Sequence, residues 1–336
     1  MKKTLLISIF MLMASSFVFS AIWRVNNMPN SSADFTSLVA AVEAASPDDI
    51  IYLEGTGTTY NEGELYLTKS LTIIGNGYFL TENDHLQANH FSSSLNIYLY
   101  LDAGSEGTIL SGLTISGGNL YVYTSNITIE RCYINAEFRL NSGSQSCSNF
   151  LLKQCYVVGG LWTWSMSFES SNMVIENNII FDDLTLNSDV CQYIVKNNVL
   201  PGNYNDINAV NAIIQNNIAN GIIADEVDGN VVENNIIGLG EVPNGGNNNL
   251  SGIDFAEVFV DWPEGANTST DAMYELLSGS VAQGHGVGGI DCGIFDGDFP
   301  YILSGLPPIP RIFETNISGV GTSEGLRVQI QASSQQ

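Results

Sequence analysis

Apolar and polar positions alternate along most of this chain in runs of three to five residues, too short for helices and spaced too evenly for chance. The clearest runs lie in residues 173–237, which read MVIENNII, YIVKNNVL, AIIQNNIA and VVENNIIG. Each unit carries apolar residues, one charged or amide residue, an Asn pair, then apolar residues again. Taking the charged or amide residue as a marker gives Glu176, Lys196, Gln215 and Glu233, spaced by 20, 19 and 18. The series extends backward through Lys153, Glu130 and Ser111, with spacings of 23, 23 and 19. A period near 20 with no helical pattern between the apolar runs is the signature of a β-solenoid. One turn needs three short strands and three bends, and an αβ repeat would need room for a helix that is absent.

The expected fold is therefore all-β: a single-stranded parallel β-helix, right-handed because parallel crossovers overwhelmingly take that hand. Stacked coils should rise by about 4.8 Å, the ladder spacing of a sheet. The position two after the marker reads Cys132, Cys155, Asn178, Asn198, Asn217, Asn235 and should form one internal column. Asn there can take the left-handed bend conformation and bond its amide to the rungs above and below. The two Cys at its head read as small buried residues; one rung apart, they could also bridge, and the reduced pair is favoured.

The helical period occurs once, at residues 34–46 (DFTSLVAAVEAAS). Phe35, Leu38, Val39 and Val42 share a face and Asp34 or Ser32 can cap it. A lone helix before an array covers its open end. Ahead of it, Lys2 and Lys3, the apolar run 5–13 and small residues up to Ser20 form a secretory signal peptide of bacterial type. No other stretch approaches membrane length. The expected organisation is a leader at 1–20, a strand and cap helix at 21–60, a parallel β-helix at 61–300 and an extended exit segment at 301–336.

Composition narrows the partners. The chain has 35 acidic and 10 basic residues. Loss of Lys2 and Lys3 with the leader takes the balance to −27, which argues against nucleic acid and anionic membrane. Five Cys without a CxxC pair give no support for zinc.

The entry FTSLVAAVEAASPDDIIYLEGTGTTY, the segment LTIIGNG at 71–77 and the closing stretch YELLSGSVAQGHGVGGIDCGIFDGDFPYILSGLPPIP carry a resemblance. They resemble the cap, first coil and closing coil of secreted right-handed parallel β-helix proteins of the pectin-lyase-like superfamily, in the form found in Bacteroidetes. The resemblance covers nearly all of residues 21–336. It speaks for fold and little for activity, since one fold hosts many functions.

Laying successive coils on one another places Phe138, Leu161 and Leu184 at one inward position. The residues that alternate with the inward ones must point out. One sheet face is thus expected to carry Tyr98, Tyr100, Tyr121, Tyr123, Arg139, Trp162 and Trp164. Flat aromatics in a row with a guanidinium suit sugar rings, and an exposed patch of this kind usually means contact. Against that, aromatics favour strands in any case, and loop 78–94 or the C-terminal tail could cover the face.

Beside it lie Glu137 and, at a bend two coils on, Asp182 and Asp183. A carboxylate pair is what glycoside hydrolysis needs, but two rungs put Glu137 and Asp183 roughly 10 Å apart, beyond the usual inverting separation of about 6.5–9.5 Å. The resemblance suggests two catalytic templates. Polygalacturonase-like proteins carry an Asp pair, a Gly-His-Gly and an Arg-x-Lys; here Asp182-Asp183, Gly284-His285-Gly286 and Arg311 are present, but Ile and Phe follow Arg311. Lyase-like proteins pair calcium-binding acids with a basic residue, for which Arg139 is the one well-placed candidate. Asp225, Glu226 and Asp228 before Gly229 resemble a calcium loop without EF-hand spacing, so Ca²⁺ is the only cofactor to consider. The expectation is a secreted, non-catalytic β-helix that binds a polysaccharide or cell-surface glycan. The alternatives are a polysaccharide lyase or glycoside hydrolase acting on acidic polysaccharide, and a purely structural surface protein.

Overall fold

The computed structural model describes residues 20–333, apart from 84–85, 141–144, 164–166, 203–205, 264–267 and 323–324. The expected leader, bar Ser20, and Trp164 therefore lie outside the described residues. The chain folds as an all-β parallel solenoid. Its first face is a ten-stranded sheet running from Ile22–Val25 to Val231–Glu233. The second and third faces begin as long shared strands, such as Thr114–Val122, then separate. The second continues through Tyr133–Asn135, Tyr156–Val157 and their successors to Ile236–Ile237, the third through Phe138–Leu140 and Leu161–Thr163 to Gly221–Ile223.

The marker series is the register of the first face. Ser111 pairs with Glu130, then Lys153, Glu176, Lys196, Gln215 and Glu233 in turn. Because side chains alternate, the residues just before the markers point inward. Leu110, Ile129, Leu152, Ile175, Val195, Ile214 and Val232 form one buried aliphatic stack. From Glu130 to Lys196 the markers alternate in charge, so neighbouring rungs attract: Lys153 pairs with Glu130 at 3.2 Å and Lys196 with Glu176 at 3.0 Å.

The internal column holds. Asn178, Asn198, Asn217 and Asn235 are fully buried. The backbone N–H of each donates to Oδ1 of the next, at 2.9–3.0 Å, and Asn249 closes the series. Each Nδ2 donates to a carbonyl of its own coil and one of the coil before, as Asn178 does to Glu176 and Leu152. Cys132 and Cys155 head this column as free thiols, with the Cys132 N–H donating to Cys155 Sγ at 3.4 Å.

The left-handed conformation falls one residue earlier than expected. The first Asn of each pair adopts it (Asn177, Asn197, Asn216, Asn234, φ between 54° and 60°), as do Arg131, Gln154 and Gly112 on preceding coils. The chain turns there, and the second residue of the pair points inward.

The helix, α1 (Leu38–Ala44), is shorter than the periodicity predicts. Phe35 bridges Val25 as extended chain and Asp34 accepts from the Arg24 N–H, so neither is free to start a helix. Ser37 caps it instead, and Glu62 accepts from the Leu38 N–H at 2.8 Å. Leu38, Ala41 and Val42 face the core, while Lys69 donates to the carbonyls of Val42 and Ala45 at the other end. The flanking strands Ile22–Val25 and Ile50–Leu53 pair in register with each other and with Thr72–Ile74, so this region forms the first coils of the array.

The parallel ladder ends with bridges Glu233–Asn247 and Ile236–Leu250. Residues 251–310, which include the stretch 274–310 where a closing coil is expected, form no parallel bridge among the described residues. They cover the solenoid as a strap, whose residues 285–306 run back over the seam between the first and second faces. The left-handed column receives it through backbone carbonyls. Asn234 donates to His285 O (2.6 Å), Asn177 to Ile294 O and Asp296 O (2.8 and 2.7 Å), Gln154 to Pro300 O (2.6 Å) and Arg131 to Leu306 O (2.8 Å). The markers help: Lys196 pairs with Asp298 and the Lys153 ammonium sits over the Phe299 ring. Under the strap the outward residues of the second face are apolar. Ile179, Val199, Ile218 and Ile236 pack with Phe255, Phe259, Tyr274 and Ile294 in a second core. Beyond the strap, Arg311–Thr322 and Gly325–Ser333 form an antiparallel hairpin.

Candidate functional site

The strap leaves the third face open. Its outward column runs in register through Tyr66, Tyr100, Tyr121, Arg139, Trp162 and Thr185. Tyr66 and Tyr100 stack at 4.3 Å between ring centroids, and Tyr100 and Tyr121 at 4.9 Å, both 6° from parallel. Tyr123 lies beside Tyr121 at 6.0 Å. The Arg139 guanidinium continues the stack 5.9 Å from the Tyr121 ring. Tyr98 stands two residues along its strand from Tyr100 and is 42% exposed. Tyr66 is 51% exposed, at the end of the column, since its strand pairs only with Ser94–Leu101 among the described residues. Tyr66 was not anticipated: its strand carries a register shift between Asn61 and Gly63, which hides the alternation.

Stacking changes what this face can do. The inner rings present their faces to one another and their edges and hydroxyls to solvent. The open ring surface is on Tyr66 and Tyr98. Partial burial, then the neighbouring Tyr66 and Glu64, push the Tyr100 phenol up to about 12, so this inner hydroxyl keeps its proton at physiological pH. Trp162 does not join the stack. Its indole lies over Gly160, where a Cβ would come within 2.4 Å of the ring.

The acids beside this face are engaged or apart. Glu137 pairs with Arg139 at 2.6 Å and accepts from Asn119 Nδ2 at 2.9 Å, and that same amide also donates to the Tyr121 hydroxyl. The Glu137 hydrogen bond raises the Arg139 pKa against a small desolvation effect. Backbone bonds from Phe138 to Gly160 and from Leu161 to Asp183 put Glu137 and Asp183 two rungs apart with Gly160 between. Asp182 is exposed and accepts from the Asp183 N–H. The other template residues lie elsewhere: His285, in the strap, bonds the Asn248 carbonyl through its ring, and Arg311, at the start of the hairpin, donates through Nε to Leu86 O. Asp225 accepts from the backbone and side chain of Asn244, while Glu226 and Asp228 belong to a 3₁₀ turn. Among the described residues no group of three or more His, Cys, Asp or Glu converges as a metal site. No helix among them is long and apolar enough to cross a membrane.

No protein-family model, curated protein or solved structure matches the chain. What can be said of function rests on the solenoid and the chemistry of its surfaces.

Proposed function

We propose that this is a secreted bacterial β-helix protein of pectin-lyase-like kinship that binds an extended glycan on its third face without cleaving it. One observation carries the reading: a tyrosine ladder and a separate exposed Tyr98 stand on the face the strap leaves uncovered. A sugar ring can stack on the outer face of Tyr66 or on Tyr98, with its hydroxyls bonding along the ladder's phenol edge. The pairing of Glu137 with both Arg139 and Asn119 speaks against its use as an acid or base.

The test is retention on immobilised polysaccharides. The double variant Tyr66→Ala/Tyr98→Ala should lose retention while keeping the wild-type unfolding midpoint. Wild-type retention by a folded double variant would overturn the reading.

A further inference from the structure

A second set of asparagines lines the corner where the chain enters the first face. Asn126, Asn149, Asn172 and Asn211 are left-handed at that bend, with φ between 51° and 59°. The side chains of the first three form an exposed amide ladder. Asn149 Nδ2 donates to Asn126 Oδ1 at 2.9 Å, and Asn172 Nδ2 to Asn149 Oδ1 at 3.1 Å.

The ladder then misses one rung. Met173 pairs with Tyr193 and Tyr193 with Ala212, so the next position belongs to Gln192. That coil lacks the extra bend residue, which appears as a register shift between Ser170 and Met173. Asn211, one rung further, turns its Nδ2 to Asp189 O at 2.6 Å. Asn172 Oδ1 therefore takes no hydrogen bond from a described residue. At this rung lies an open cavity of about 790 Å³ whose lining includes Asn172, Gln192, Asn211, Glu169 and Asp189. Glu169, Gln192 and Asp189 are exposed, and no described residue bonds their side-chain atoms.

We propose that this notch is a binding site for a 2-acetamido sugar. A secondary amide supplies what the missing asparagine would. Its N–H donates to Asn172 Oδ1, continuing the ladder, and its carbonyl accepts from Gln192 Nε2. The carboxylates of Glu169 and Asp189 accept from sugar hydroxyls and repel anionic glycans. This site is separate from the tyrosine face and does not depend on it.

The experiment is calorimetric titration of the full chain with N,N′-diacetylchitobiose and with cellobiose, which has the same linkage without the acetamido group. The diacetyl sugar should bind at least tenfold tighter. Asn172→Gly keeps the left-handed backbone and removes the amide, so it should weaken that sugar roughly tenfold. Gln192→Ala, at an exposed position, should weaken it similarly and serves if the glycine variant misfolds. Tyr66→Ala/Tyr98→Ala should leave the affinity unchanged. Equal affinity for the two sugars, no binding of either, or unchanged affinity in the notch variants overturns the proposal. So does loss of binding in the tyrosine variant, which would put the sugar on the third face.

Discussion

Asn177 and Asn178 are neighbours in the chain and act on opposite sides of the coil wall. Asn178 points in and bonds the coils before and after it, whereas Asn177 points out and holds the Ile294 and Asp296 carbonyls of the strap. Asn178→Ala would strip hydrogen bonds from the buried Cys155 N–H and from the Leu152 and Glu176 carbonyls. We expect a loss of about 3 kcal/mol or more, since each orphaned buried group costs about 1–3 kcal/mol. Urea unfolding would measure it.

Asn177→Gly should be milder. Glycine keeps the backbone at φ 54° and removes only the strap's bonds, a loss of about 1 kcal/mol. Asn177→Ala should cost a further ~1 kcal/mol for the left-handed backbone. Both variants should become more sensitive to protease between 283 and 306, and unchanged cleavage there would contradict the docking role.

Acid should unfasten the N-terminal end. Asp49 is almost fully buried, which by itself raises its pKa; hydrogen bonds from the Trp23 indole and the Ala21 and Ser46 amides outweigh this and hold it below the usual 3.8. A depressed carboxyl stabilises the fold above its unfolded pKa, and that stability is lost as pH falls through the folded value. Asp49→Asn should therefore be less stable at pH 7, by about 2 kcal/mol for bonds to a charged acceptor. Its stability should also fall less steeply than wild type below pH 3.8. Parallel acid profiles would contradict this.

The tyrosine ladder has a spectroscopic signature. Tyr100 sits between two parallel rings, so Tyr100→Ala should reduce exciton coupling in the ultraviolet circular dichroism by more than Tyr66→Ala does, leaving the part that comes from Tyr121 and Tyr123. In an alkaline titration Tyr100→Ala should remove one of the phenols that ionise at about 12.

At the helix, Glu62→Ala removes a carboxylate that accepts from the Leu38 amide and the Ser37 hydroxyl. A loss of about 1 kcal/mol is expected from the cap and the helix dipole together, read as a shifted thermal midpoint.

The coil stacking was legible because an inward ladder demands the same residue type on every rung, so the period is written in the chain. The left-handed bend was misplaced by one residue because its occupants vary: Arg131 and Gln154 take the same backbone angle as Asn177. The strap left no periodic trace, since the solenoid holds it through the strap's own carbonyls, which any sequence supplies. Of the candidate face, the order from Tyr100 through Arg139 followed from alternation. The closure of the ring faces against one another, and the turn of Trp162 onto Gly160, depend on side-chain torsions that alternation does not determine.

The strap also sets how the molecule comes apart. A repeat array whose units touch only their neighbours unravels from its ends, one unit at a time. Here the Tyr301 hydroxyl meets that of Tyr78 at 2.5 Å and Ser304 bonds Asn83, contacts more than two hundred residues apart along the chain. The strap is thus fastened to the first coils. Fraying at either end must break bonds made at the other, which turns a modular stack into one cooperative unit. A chain cut before residue 251, which also loses the bonds of Thr270 to Glu82 and of Asn83 to Asp271, should melt in several stages where the whole protein melts in one.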